Sequence, residues 1–367
     1  GTHFFYVNPL ASRGNHHRDP WFGCACCPPN VTRTLASLGS YLYAKSDKDL
    51  YVNLFVNGSV NTKLSPKSSI AMQVRTTYPW DGTMTLTPKA NGVPAGIKVR
   101  VPGWTPKATV KHNGKLVLPK VTNGYLDLGR SWKNGDAFTV SLAMPVERVA
   151  ANPNAKDVAG YFALQRGPII YCLEGVDNPV DFESLYLPLD APMKPTADRI
   201  LGGITTLAGQ ASLMPQESWR NRLYQTITST KKVAIKAVPY YSWDNRKAGD
   251  MAVWLRSAPP PPMPGGAEGS AKVTVSYASG SSTPSAIKDG KEIAGSNKHP
   301  GQLCHFWPHK GTSEWVQYTL TEPENVSGVE VYWFDDTGFG ECRPPEAWHV
   351  EYQDGATWKR VESTGYA

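Results

Sequence analysis

Three of the 6 cysteines in this 367-residue chain stand within four positions, Cys24, Cys26 and Cys27, in "WFGCACCPPN". A thiolate is both a nucleophile and a metal ligand, so three chemistries compete: a disulfide, a metal site and catalysis. Cys26 and Cys27 are adjacent, and a vicinal disulfide strains the ring it closes. Cys24 and Cys27 have the C-x-x-C spacing of redox sites and metal knuckles. No β-α-β pattern surrounds them, which sets a thioredoxin-like site aside. Zinc suits thiolates and takes four ligands in tetrahedral structural sites. The segment offers two or three, and no second C-x-x-C or H-x-H pair lies near it. His16 and His17 are close in sequence, but they belong to the polar stretch "ASRGNHHRDP", where solvation is the ordinary role. A metal here has to be completed from elsewhere, and a self-contained zinc finger is not expected. Spacing alone favours a structural metal over a catalytic thiolate.

The surrounding elements bear on that choice. In "NVTRTLASLGSYLYAKS", Val31, Leu35, Leu38 and Leu42 recur at helical intervals and share one face. Asn30 is the expected N-cap, and the prolines before it stop any earlier helix. The cysteines therefore sit at a helix start, where the dipole and unpaired N–H groups favour an ionised thiol. "HFFYVNPL" reads as a short strand, with no initiator Met and no signal peptide before it. One helix and one strand make no core, so residues 1–46 are expected to dock on a helical domain upstream.

From 47 onward the period changes to two. "DLYVNLFVNG" alternates Leu50, Val52, Leu54 and Val56, and "HNGK" places Asn-Gly at a hairpin turn. Short strands punctuated by Gly, Pro, Asn and Asp continue to 257 and predict an antiparallel β-sandwich region, with Cys172 as a buried thiol. "APPPPMPGGAEGSA", 258–271, reads as a linker. A smaller β module follows over 272–367, with "EWVQYTL", "VSGVEVYWFDD" and "WHVEYQDGATWKRVE" as strands. Gly 33, Pro 31, Trp 12 and Tyr 17 against 19% charged residues suit this β-rich reading. The net charge of +7 is scattered rather than clustered, which argues against a nucleic-acid partner. No apolar run is long enough to span a membrane as a helix.

"WFGCACCPPN" with "FFYVNPLAS", "LYVNLF", "ALQRGPIIYCLEG" and "PYYSWDNRKAGDMAVWL" resembles the zinc-dependent, cysteine-nucleophile β-L-arabinofuranosidases, a family of glycoside hydrolases. "HFWPHKGTSEWVQYTL" and "VEVYWFDDTGFGECRPPEAWHVEYQDG" resemble the discoidin-like module of many members. The resemblance implies a mainly β chain: the tail of an (α/α)6 barrel over 1–46, then the sandwich region, then a jelly-roll module. It implies that Cys26 is the nucleophile and a zinc ligand, and that Cys27 is a second zinc ligand. The other ligands, a glutamate and a cysteine, and the acid–base glutamate would lie upstream. Zinc is the implied cofactor, and arabinose-containing glycans are the implied partners. Tyr6 and Trp21 flank the motif and are candidates for lining a sugar pocket, with plain packing as the alternative. Cys24 has no implied role and is read as a packed thiol near the site, with a spare ligand as the alternative. Trp307, His309, Trp333 and Asp336 gather in the last module, as a sugar site or as a packed spacer. Cys304 and Cys342 can pair in an oxidising compartment or remain reduced. The competing reading is a carbohydrate-binding protein with a structural zinc and no turnover.

Overall fold

Alternating apolar residues become strands over most of this chain. A computed structural model describes residues 3–14, 16–27, 29–92, 95–214, 230–259, 267–280, 282–288, 296, 303–321, 323–326 and 328–362. It is mainly β, with few helices and several sheets. The described residues fall into two compact units, one ending at 259 and the other starting at 267. Pro28, residues 224–229 of an expected strand and residues 260–266 of the expected linker lie outside the described residues.

The first unit opens with strand β1 (Ala11–Arg13) and helices α1 (Pro29–Ser37) and α2 (Gly39–Leu42). Strands β2 (Tyr43–Lys45), β3 (Asp49–Val52), β4 (Gly58–Ser65), β5 (Ser68–Thr76), β6 (Thr83–Gly92) and β7 (Gly96–Arg100) follow. Next come β8 (Ala108–His112), β9 (Lys115–Val117), β10 (Val121–Thr122), β11 (Tyr125–Asp127) and β12 (Phe138–Leu142). These eleven strands after β1 form two sheets, β10-β11-β7-β3-β2 and β4-β5-β6-β12-β8-β9. Leu50, Val52, Ile97 and Val99 of one sheet meet Ile70, Met72, Val74, Met84, Leu86 and Val140 of the other in a shared core. That is a sandwich, built by period-two alternation. The expectation of purely antiparallel pairing needs correcting, because β3 and β7 run parallel. The chain between them crosses to the opposite sheet through β4, β5 and β6, which allows a parallel return. Asn113 and Gly114 at the β8–β9 turn both have positive φ, as the Asn-Gly signal requires.

A separate core begins at residue 146. Its strands are β13 (Val146–Val149), β14 (Tyr161–Arg166), β15 (Ile169–Glu174), β16 (Leu185–Tyr186), β17 (Met193–Asp198) and β18 (Ile204–Leu213). They continue with β19 (Lys231–Pro239), β20 (Asp250–Ala252) and β21 (Trp254–Arg256). Pairings run β15-β19-β18-β16-β21-β14 and return from β14 to β15, a closed circuit rather than two stacked layers. Alternate residues serve two clusters: Leu164, Tyr171, Leu173 and Ala237 on one face, Ala163, Cys172 and Val238 on the other. Cys172 is buried, as its apolar strand predicts.

The amino-terminal segment departs from expectation. "HFFYVNPL" makes no strand; Phe4 only bridges Asp19. The strand is β1, inside the stretch read as a polar loop, and it pairs antiparallel with β20. Its polar composition suits a short strand at the end of the sheet path. The segment therefore docks on the sheet of the second core.

In the second unit, helix α3 (Ala267–Ser270) occupies residues expected to be linker. Strand β22 (Lys272–Val275) pairs with β23 (Val316–Thr319), and β24 (Glu351–Asp354) forms a hairpin with β25 (Thr357–Arg360). "VSGVEVYWFDD" carries no strand among its described residues. Cys304 and Cys342 are both free thiols here.

Candidate functional site around the paired thiols

The cysteines lie between Trp21 and α1 on an exposed loop. Cys26 Sγ is 3.6 Å from Cys27 Sγ and 3.7 Å from Cys24 Sγ. The Tyr6 hydroxyl reaches both sulfurs of the pair, at 3.0 Å from Cys26 and 3.3 Å from Cys27. The Tyr6 ring is set edge-on against Phe22. The hydrogen bond from Tyr6 is the main cause lowering the Cys26 pKa from its ordinary value, with contacts to Cys27 and Cys24 adding to it. The same bond raises the Tyr6 pKa, so the phenol keeps the proton and donates it toward sulfur. By contrast, burial pushes the Cys172 thiol well above its ordinary value.

Helix α1 starts at Pro29, where a missing N–H costs nothing. Asn30 is thus not the N-cap but lies in the first turn. Its side chain accepts from Arg33, and its N–H donates to the Cys27 carbonyl at 3.0 Å. Cys27 is tied to the helix start by that turn. The helix's own apolar face is uncovered: Val31 and Leu35 are exposed, Leu35 by 67%.

The loop's seat comes from the second core, through residues the sequence did not single out. Phe5 stacks on Trp243 with centroids 4.5 Å apart, and the Arg18 guanidinium lies over Phe5 at 4.7 Å. Arg18 donates to the carbonyls of Trp243 (2.8 Å) and Tyr241 (2.9 Å), and its backbone N–H donates to Asp244 Oδ2 at 2.8 Å. Asp244 in turn donates its N–H to Glu174 Oε1 at 2.9 Å, and Arg246 pairs with Glu174 and Asp177. The Tyr240 hydroxyl donates to the Pro9 carbonyl at 2.8 Å. Arg18 is therefore consumed in anchoring the loop, and His17 Nδ1 stands 3.4 Å from Asp244 Oδ1. "SWDNR" held the signal, a cluster of polar groups beside an aromatic pair, but nothing in spacing connects it to residue 18. Trp21 is 56% exposed and packs edge-on against Phe4. A shallow groove lined by Asn57, Gln73, Arg75 and Thr83 lies on the β4–β6 sheet face, not on the thiol loop.

The donor set can be tested for zinc. Bonds of about 2.3 Å to thiolates in a tetrahedral site place two sulfurs roughly 3.8 Å apart. The 3.6 Å between Cys26 and Cys27 fits one edge of such a site. Among the described residues no group of three or more His, Cys, Asp or Glu side chains is arranged to hold an ion.

Scaffold and site together describe a paired-thiol centre seated on a multi-sheet β protein. Sequence profiles of three domains match in order: the GH127 β-L-arabinofuranosidase catalytic domain over 1–40, its middle domain over 49–144, and the family 127 C-terminal domain over 146–256. The chain belongs to glycoside hydrolase family 127. It is 31% identical over 282 residues to a non-reducing end β-L-arabinofuranosidase of Bifidobacterium longum subsp. longum, covering 70% of this chain and 42% of that protein. A crystal structure of a GH127 β-L-arabinofuranosidase from Geobacillus stearothermophilus T6 superposes with a TM-score of 0.65 at 38% identity, over 70% of this chain and 43% of that one. Another solved GH127 β-arabinofuranosidase gives 0.62 at 36%, over 70% and 42%. The chain thus spans less than half the length of these relatives.

Proposed function

We propose that this chain supplies the thiolate half of a retaining glycoside hydrolase that releases L-arabinofuranose from plant glycans. The observation that carries this reading is the Cys26–Cys27 sulfur pair with the Tyr6 hydroxyl upon it, inside the segment matched by the catalytic-domain profile. Cys26 is the nucleophile and, with Cys27, a zinc ligand; Tyr6 and Trp21 line the sugar pocket. Zinc, when bound, supplies charge that keeps the thiolate ionised and eases its departure.

The chain's own part is as follows. Cys26 Sγ attacks the anomeric carbon, and a C–S bond forms as the C–O bond to the leaving group breaks. The leaving oxygen takes its proton from a carboxylic acid in the part of the full-length relatives that this chain does not span. Water then displaces sulfur with that carboxylate as base, and configuration is retained. Tyr6 holds its proton toward sulfur throughout and fixes where the thiolate points. On this reading residues 1–46 end an (α/α)6 barrel, and the bare apolar face of α1 supports it, since such a face needs a partner. The region 47–257 holds the sandwich and the closed sheet that follows it, and 272–367 is a discoidin-like jelly roll. The isolated chain is inactive. In the full-length protein Cys26→Ser abolishes arabinose release while the fold persists; undiminished release would remove Cys26 from the role.

A further inference from the structure

Cys24 remains without a role in the hydrolytic reading, yet its sulfur lies in contact with the Cys26 sulfur. The backbone bends at Cys24 and again at Cys26, which brings the two side chains to the same side of the loop. Their separation of 3.7 Å has to shrink to about 2.05 Å for a disulfide, a displacement that an exposed loop can make. The Cys26–Cys27 pair is as close, at 3.6 Å, but adjacent residues close a strained ring. The Tyr6 hydroxyl rests on Cys26 and Cys27 and leaves Cys24 as the third thiol of the cluster. A site open enough for a furanoside also admits a peroxide.

We propose that Cys24 is a resolving thiol, and that peroxide converts Cys24 and Cys26 into a reversible disulfide. The first step forms an S–O bond at Cys26 as the O–O bond of hydrogen peroxide breaks, releasing water and leaving a sulfenic acid. Cys24 sulfur then attacks the Cys26 sulfur; the S–S bond forms, the S–O bond breaks, and a second water leaves with the Cys24 proton. The two thiols lose two electrons, and one peroxide is reduced to two waters. A dithiol returns both residues to the thiol. The bond protects Cys26 from irreversible oxidation to sulfinic acid. Its effect on hydrolysis rests on the reading of Cys26 as the nucleophile; the bond itself does not.

The test uses the full-length protein, freed of metal with a chelator and treated with about a tenfold excess of hydrogen peroxide, then alkylated and digested without reductant. The expected peptide carries Cys24, Cys26 and Cys27 with one alkylated thiol, at Cys27, and a mass lower by about 2 units for the two hydrogens lost. The wild type and a Cys24→Ser variant are each referred to their own activity before treatment. After treatment dithiothreitol with added zinc restores the wild type, whereas the variant regains less than about a tenth of its activity, because a second peroxide oxidises its sulfenic acid to sulfinic acid and leaves as water. Three free thiols after treatment, a Cys26–Cys27 bond, or equal recovery of the two proteins would each overturn the proposal. If Cys26→Ser proves fully active, the hydrolytic reading fails, while the mapped Cys24–Cys26 bond still decides this one.

Discussion

The two kinds of cysteine in the first unit show how one side chain takes opposite characters. Cys26 sits under a phenol hydroxyl that stabilises its thiolate, whereas Cys172 lies in a strand whose neighbours offer no such help. Iodoacetamide at neutral pH is therefore expected to label Cys26 rapidly and Cys172 only after unfolding. The Tyr6 bond lowers the Cys26 pKa, so Tyr6→Phe moves the pH midpoint of Cys26 labelling upward in chelator-treated protein. A midpoint unchanged by Tyr6→Phe would mean that the hydroxyl does not set the thiol's ionisation. The cysteine cluster and its place before a helix were legible in the sequence, because residue type and helical period are local signals. The Tyr6 contact spans twenty positions, across strand β1 and the loops around it, and no pattern announces it.

At the scale of elements, the Tyr240–Arg246 stretch is a platform for the segment that carries the thiols. Asp244 is its hinge point, with a side chain only 7% exposed and a positive φ of 55°. Asp244→Ala leaves the Arg18 N–H without its acceptor and is expected to cost about 1–3 kcal/mol in urea unfolding. Hydrogen exchange at residues 16–19 should accelerate in the same variant, and unchanged exchange would show that the platform does not hold the loop. A second device sits at the β8–β9 hairpin, where Asp136 accepts from Asn113, from the Lys133 N–H and from His112. These donors lower its pKa from 3.8 to about 2, the Asn113 bond contributing most. A carboxylate depressed in the folded state adds stability above its unfolded pKa and loses it as pH falls through the folded value. The contribution is thus complete above about pH 4 and gone near about pH 2, and Asp136→Asn should flatten the fall in melting temperature over that window. The strands themselves were readable from alternation. Two features were not: the parallel β3–β7 pair and the strand at β1, because both depend on partners far along the chain.

Across the whole first unit, stability is divided between two cores. Leu86 fills the sandwich and Leu173 the closed sheet, and both are fully buried. Replacing either with Ala is expected to cost about 2–5 kcal/mol. The double variant should lose the sum to within about 0.5 kcal/mol, since the clusters share no buried member. A marked departure from additivity in guanidinium unfolding would show that the cores are coupled. Composition and turn spacing marked the chain as β-rich with several modules, but they could not divide 47–257 into two cores. Sheets are closed by long-range pairing, which local periodicity does not encode. The β1–β20 pairing also imposes an order in time. Ala11 leaves the ribosome long before its partner Ala252. At about 5–20 residues per second the wait is on the order of tens of seconds. Throughout that wait the segment that carries the three thiols lacks its partner strand β20. They reach their seat only when the closing strands of the second core emerge.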